Sequence, residues 1–198
     1  MSEFLLELYS EEIPPKLQIA ARSQTKDIIE KFLNEERIKY NDCIEYSSPN
    51  RLCVCIKNLP EKIKIKSEEV KGPKVGVPEN ILQSFIKSHN VSEQNLFKKV
   101  TEKGEFYFLK TVEKHLLVKD FFIDILPKSL LAINWKKSMK WSTTNLMWGR
   151  PLRSIFAVFD GKKIPFTFEH LESTDNIIIE KDLIFKTKKI KNFKDYVS

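Results

Sequence analysis

Eight residues in one window, Trp135, Lys136, Lys137, Lys140, Trp141, Trp148, Arg150 and Arg153, bring all 3 tryptophans of the chain beside five of its cations. Ammonium and guanidinium groups meet phosphates, and indole faces stack on nucleobases or on cations, so this window is the candidate RNA contact. The same composition suits a second arrangement, in which the tryptophans fill a core or a contact between subunits and the lysines form its solvated rim. Burial of the indoles separates the two.

Other chemistry is sparse. The sequence holds no Gly-x-x-x-x-Gly-Lys loop and no Gly-x-Gly-x-x-Gly turn, and 5 glycines are too few to build several backbone cradles for phosphate. Ser10, Ser48 and Ser138 have no evident base beside them, which a nucleophile requires. Glu11 and Glu12 suit the positive end of a helix dipole better than acid/base work, because adjacent side chains point in different directions. Cys43, Cys53 and Cys55 read as buried reduced thiols, since a zinc site needs about four ligands and His89, His115 and His170 are scattered. His89, ending an apolar helix face, is expected to be semi-buried. No catalytic, cofactor-binding or metal-binding residue is predicted.

The 34 Lys and Arg against 27 Asp and Glu leave a formal charge of +7, which favours polyanionic partners without specifying one. No apolar run approaches the ~20 residues needed to span a bilayer. Glu3 and Glu7 stand where a signal peptide would be positive. The expectation is a cytoplasmic protein with no membrane partner.

Positioning these residues falls to alternating strands and helices of an α+β fold with antiparallel or mixed sheets. Phe4 to Tyr9 reads as a buried strand and Pro14 and Pro15 as the start of a helix to about Glu36, with Leu17, Ala21, Ile28 and Phe32, beside Ile29 and Leu33, forming its apolar stripe. Cys43–Ser47 and Leu52–Asn58 read as strands around Ser48-Pro49-Asn50, followed by a half-exposed strand with Ile63 and Ile65 alternating with Lys62, Lys64 and Lys66, in an antiparallel meander. A second helix runs from Pro78 to His89. A strand over Phe106 to Val112 leads to a third helix, Leu116 to Ile133, which Pro127 should kink or split. Ile155 to Phe159 ends at the hairpin signal Asp160-Gly161, with Ile164-Pro165-Phe166 returning. Residues 1–75 and 76–176 are expected to form two small α+β units, with 177–198 as a lysine-rich divergent tail.

The run Phe4-Leu5-Leu6-Glu7-Leu8-Tyr9-Ser10-Glu11-Glu12-Ile13-Pro14-Pro15-Lys16 resembles the opening of the β subunit of bacterial heterotetrameric glycyl-tRNA synthetase, an apolar strand followed by Glu-Glu-[Leu/Ile]-Pro. Ser48-Pro49-Asn50-Arg51-Leu52, Lys71-Gly72-Pro73, Met139-Lys140-Trp141 and Arg150-Pro151-Leu152-Arg153 are similar to later motifs of that family, in the same order. Where the family has Gly-His-Arg, this sequence has Glu180-Lys181-Asp182, so the resemblance is expected to fade after about Asn176. The family's β subunit is much longer, and the chain corresponds to its N-terminal part.

The resemblance implies an assembly of two α and two β chains that joins glycine to tRNA(Gly) using ATP. It places glycine and ATP activation on the α subunit, and makes this segment a non-catalytic scaffold that presents the α subunit and the tRNA acceptor region to each other. No cofactor is expected in this chain. The rival expectations are a free-standing basic RNA-binding module, or a remnant that folds but binds nothing.

Overall fold

The computed structural model describes residues 2–65, 69–89, 95–101, 104–110, 114–140, 146–181 and 184–198. The chain begins with Ser2–Ser10 (β1), Pro15–Glu35 (α1), Asp42–Ser48 (β2), Arg51–Leu59 (β3) and Lys62–Ile65 (β4). Glu69–Lys74 (β5), Glu79–His89 (α2), Leu96–Thr101 (β6), Gly104–Lys110 (β7) and Lys114–Leu117 (β8) follow. Val118–Leu131 (α3), Met139–Lys140 (β9), Met147–Trp148 (β10), Leu152–Phe159 (β11) and Lys162–Lys163 (β12) come next. The chain closes with Thr167–Phe168 (β13), Leu171–Thr174 (β14), Asn176–Lys181 (β15), Ile184–Lys189 (β16) and Phe193–Val197 (α4). The fold is α+β, as the sequence predicts.

The main sheet runs β13-β14-β11-β1-β3-β2, with β12 also paired to β11. β1 lies antiparallel to both neighbours, Leu6 facing Val54 of β3 and Ala157 of β11. A strand in that central place must be apolar on both faces, and every residue from Phe4 to Tyr9 is buried. β4 does not continue the expected meander. It leaves the sheet and pairs with β8, because β1 already occupies the free edge of β3.

One face of β1, carrying Phe4, Leu6 and Leu8, packs under the helices: Phe122 of α3 stacks on Phe4 with centroids 4.0 Å apart. α1 buries Ala21, Thr25, Ile29 and Leu33, so its innermost row is shifted by one residue from the expected Ile28 and Phe32, which flank it half-buried. Thr25 is tolerated there because its hydroxyl donates to the Ala21 carbonyl at 2.7 Å. No acidic residue lies in the first turn of α1, and Pro14 caps it without a side-chain bond, so Glu11 and Glu12 do not serve its dipole. α3 stays unbroken through Pro127, held by the buried side chains of Phe121, Phe122, Ile125, Leu126 and Leu130.

The opposite face carries Leu5, Cys53, Cys55, Phe156 and Val158, and the expected tail covers it. Ile177 and Ile190 join that core, with Phe193 and Tyr196 of α4 packed against it. Asp160 and Gly161 both take positive φ, 49° and 72°, closing the predicted hairpin, although its regular return strand is only Lys162–Lys163.

The compact units are nested rather than consecutive. One comprises Met1–Ile63 with Leu117–Ser198, the other Lys64–Leu116, in place of a boundary near 75. The reason is the long-range pairing of β1 with β11, which draws the second half of the chain back onto the first. The Val118 amide donates to the Glu61 carbonyl at 3.0 Å where the chain leaves and rejoins the larger unit.

In the smaller unit β7 lies between β5 and β6, all antiparallel. Gly72 lets β5 approach α2, since a Cβ there would lie 2.9 Å from the Phe85 ring. His89 is exposed rather than semi-buried, its ring tilted against Phe85 at 4.4 Å. Trp141, Lys66 and Val112 lie outside the described residues.

Candidate functional site

The tryptophan window separates into a core and a rim. Trp148 is 1% exposed and Trp135 8%. Their rings tilt together at 5.2 Å, and Trp148 meets Phe168 edge-on at 5.6 Å. Gly149 is required beside them, because a Cβ there would sit 2.2 Å from the Trp135 ring. Neither indole offers a face to a nucleobase. Lys136, Lys137 and Lys140 are exposed, with Lys140 on β9, where it pairs with Met147 of β10.

Arg150 and Arg153 point elsewhere. The Arg150 Nε donates to the Glu12 carbonyl at 3.2 Å, and the Arg153 Nη2 meets the Glu11 carboxylate at 2.7 Å. Backbone bonds reinforce this junction. The Glu11 amide donates to the Pro151 carbonyl at 3.0 Å, Ser10 to Asn50 at 2.9 Å and Ile13 to Pro49 at 2.6 Å. Three sequence motifs, Glu11-Glu12-Ile13-Pro14, Ser48-Pro49-Asn50-Arg51 and Arg150-Pro151-Leu152-Arg153, therefore converge at one end of the sheet. Read separately, the sequence gives no sign that they touch.

Beside the junction, on the face covered by the C-terminal elements, lies a charged cluster that sequence reasoning missed. Glu7 is 1% exposed within β1 and accepts from the Arg51 Nη1 at 2.8 Å and from the Tyr196 hydroxyl at 2.5 Å. The Arg51 Nη2 also donates to the Ile178 carbonyl, and its guanidinium lies 4.6 Å from the centre of the Tyr9 ring. The Tyr9 hydroxyl donates to Glu180 at 3.1 Å. Burial, then Cys53 and Glu7, hold the Tyr196 phenol neutral far into the alkaline range. Burial raises the Tyr9 phenol as well, with Glu180 second. A single charge interrupting an apolar strand was the available signal, because such a residue needs a buried counter-ion.

This cluster is structural chemistry. It ties β1, β3, β15 and α4 together through one carboxylate and one guanidinium, and it presents no nucleophile with a base. Ser10 donates to its neighbour's carbonyl and Ser48 to the Asn50 side chain. Among the described residues no group of three or more His, Cys, Asp or Glu could hold a metal, and no helix is long and apolar enough to cross a membrane.

Burial pushes the Cys55 and Cys43 thiols up to about 12, aided by Glu3 and Glu30 respectively, and raises Cys53 with help from Glu7. The neutral thiol is the form the fold favours. Its contribution to stability is complete below the ordinary thiol value of 9.0 and is lost as pH rises through the window from 9.0 to about 12. Stability in urea is expected to decline over that alkaline range. At about pH 8, iodoacetamide should label Cys53 and Cys55 rapidly only after denaturation. Fast labelling of either in the native protein, read by mass spectrometry, would contradict their placement.

A family profile described as glycyl-tRNA synthetase beta subunit matches residues 4–198. A glycine–tRNA ligase beta subunit of Rickettsia canadensis is 36% identical over 200 residues, covering 99% of this chain and 29% of the relative. The Rickettsia felis subunit is 32% identical, covering 99% of this chain and 30% of its own length. That of Rickettsia typhi is 37% identical over 177 residues, 89% of this chain and 26% of the relative. The chain belongs to the glycyl-tRNA synthetase beta subunit family, and it spans about 30% of the length of these relatives. The match does not end near Asn176. It passes through Glu180-Lys181-Asp182 to Ser198, in keeping with the packing of Ile177, Ile190 and Tyr196 into the fold.

Proposed function

We propose that this chain serves as the N-terminal portion of the β subunit of glycine–tRNA ligase, in a cytoplasmic assembly of two α and two β chains that glycylates tRNA(Gly) at the expense of ATP. The family match over residues 4–198 carries this reading. Within it, glycine and ATP are activated on the α subunit, and this segment is a non-catalytic scaffold. The junction of Glu11, Glu12, Pro49, Pro151 and Arg153 supports a scaffold role, because its polar groups are spent on one another. The exposed Lys136 and Lys137 are placed for contact with the α subunit or tRNA.

Two measurements test the proposal. The chain alone is expected to show no glycine-dependent ATP–pyrophosphate exchange, and to be retained by an α subunit immobilised on resin. Exchange without the α subunit, or failure to associate with it, would overturn the reading.

A further inference from the structure

We propose that the ribbon formed by β15 and β16, with the residues leading into α4, is a binding surface for the phosphate backbone of RNA. The inference rests on the reading above for the identity of that RNA, and on the ribbon's own geometry for everything else.

The ribbon is two-stranded, and all six residues of β16, Ile-Phe-Lys-Thr-Lys-Lys, are exposed. From Ile184 to Asp195 the sequence holds five lysines, Lys186, Lys188, Lys189, Lys191 and Lys194, against the single carboxylate of Asp195. A solvated charged face ordinarily intersperses both signs, as Lys31 with Glu35 and Lys99 with Glu69 do elsewhere in this protein. Here only Lys189 has a carboxylate partner among the described residues, Asp175 at 2.7 Å. Lys188 reaches a backbone carbonyl of Asp195 at 3.4 Å, an uncharged acceptor.

Alternation places Ile184, Lys186 and Lys188 on one side of the strand, with successive ammonium groups about 7 Å apart. Phe185 is 58% exposed on the other side, directly across from Glu180 of β15, whose carboxylate accepts from the Tyr9 hydroxyl, and its aromatic face is open to a base. The base of the ribbon is fixed. Ile177 is buried, Arg51 donates to the Ile178 carbonyl and Tyr9 to Glu180, so the cations project from a rigid arm. In the tryptophan window, by contrast, Trp135 and Trp148 are buried and Arg153 is paired with Glu11.

The test is a filter-binding titration at several salt concentrations, with a tRNA(Gly) transcript and an unrelated RNA hairpin of equal length as probes. Wild-type chain is compared with Lys186→Ala, Lys186→Ala/Lys191→Ala and Phe185→Ala, all at exposed positions. Each lysine removed is expected to lower the slope of log affinity against log salt by roughly 0.7–0.9. Phe185→Ala should weaken binding about five-fold or more with the slope unchanged. Wild-type affinity and slope in all three variants, or no RNA binding by the parent chain, would overturn the proposal. So would variants that bind RNA normally but lose the α subunit, since the ribbon would then be a protein contact. Salt-dependent binding of both RNAs by a chain that fails to associate with the α subunit would sustain the ribbon and sink the ligase reading, which keeps the two failures distinct.

Discussion

Replacing Arg51 by alanine is expected to lower the stability of the chain by roughly 3 kcal/mol, because Glu7 would be left charged and buried. The Glu7 side chain is 2% exposed and that of Arg51 20%, so the carboxylate lies deeper than its counter-ion. Tyr196 would still donate to it, but one neutral hydroxyl does not replace a guanidinium. The same change removes the bond to Ile178 and the cation over the Tyr9 ring, loosening β15 as well. Glu7→Gln/Arg51→Met should recover much of the loss, since a buried pair replaced as a unit leaves no orphaned charge. Urea denaturation of Glu7→Gln, Arg51→Met and the double variant gives the coupling directly. An Arg51→Ala protein within about 0.5 kcal/mol of the parent would mean that Glu7 is not enclosed as described.

Phe122→Ala should be equally costly, about 3–5 kcal/mol, through the cavity it opens between α3 and the sheet. The ring is fully buried, parallel to Phe4 within 2°, and 6.0 Å from Phe159, so it bridges α3 to two adjacent strands. Neighbours pinned by the β1–β11 register have little room to collapse into the space. Ile19→Ala, at a position 60% exposed, should change the stability by no more than about 0.5 kcal/mol. Equal midpoints for the two variants would place α3 on the wrong side of the sheet.

What the sequence made legible follows the range of the interactions. β1, α1 and the Asp160-Gly161 hairpin were readable because their signals are local: an apolar run, a proline start, a turn dipeptide. The row of α1 that faces inward was harder, because the doublets Ile28-Ile29 and Phe32-Leu33 straddle two adjacent faces of one helix. The order of the units was hidden, since Tyr9 and Ser154 meet only by pairing across most of the chain. The tryptophans were ambiguous by nature, an indole beside a lysine being equally suited to a core with a rim or to a stacking surface. The salt bridge of Glu11 with Arg153 spans 142 positions, and the lysines of the C-terminal segment masked Ile177, Ile190, Phe193 and Tyr196.

The bond between Val118 and Glu61 sets the two stumps of the larger unit side by side. The chain leaves and re-enters the larger unit through this doorway, and lengthening such a segment costs only in proportion to the logarithm of its length. β1, β3 and β11 would keep their register whatever is threaded through that opening. A change in the length of the Lys64–Leu116 segment is therefore expected to cost the larger unit little. For an engineer the same doorway is a socket, a place where a foreign domain can be spliced in while the host strands remain as they are.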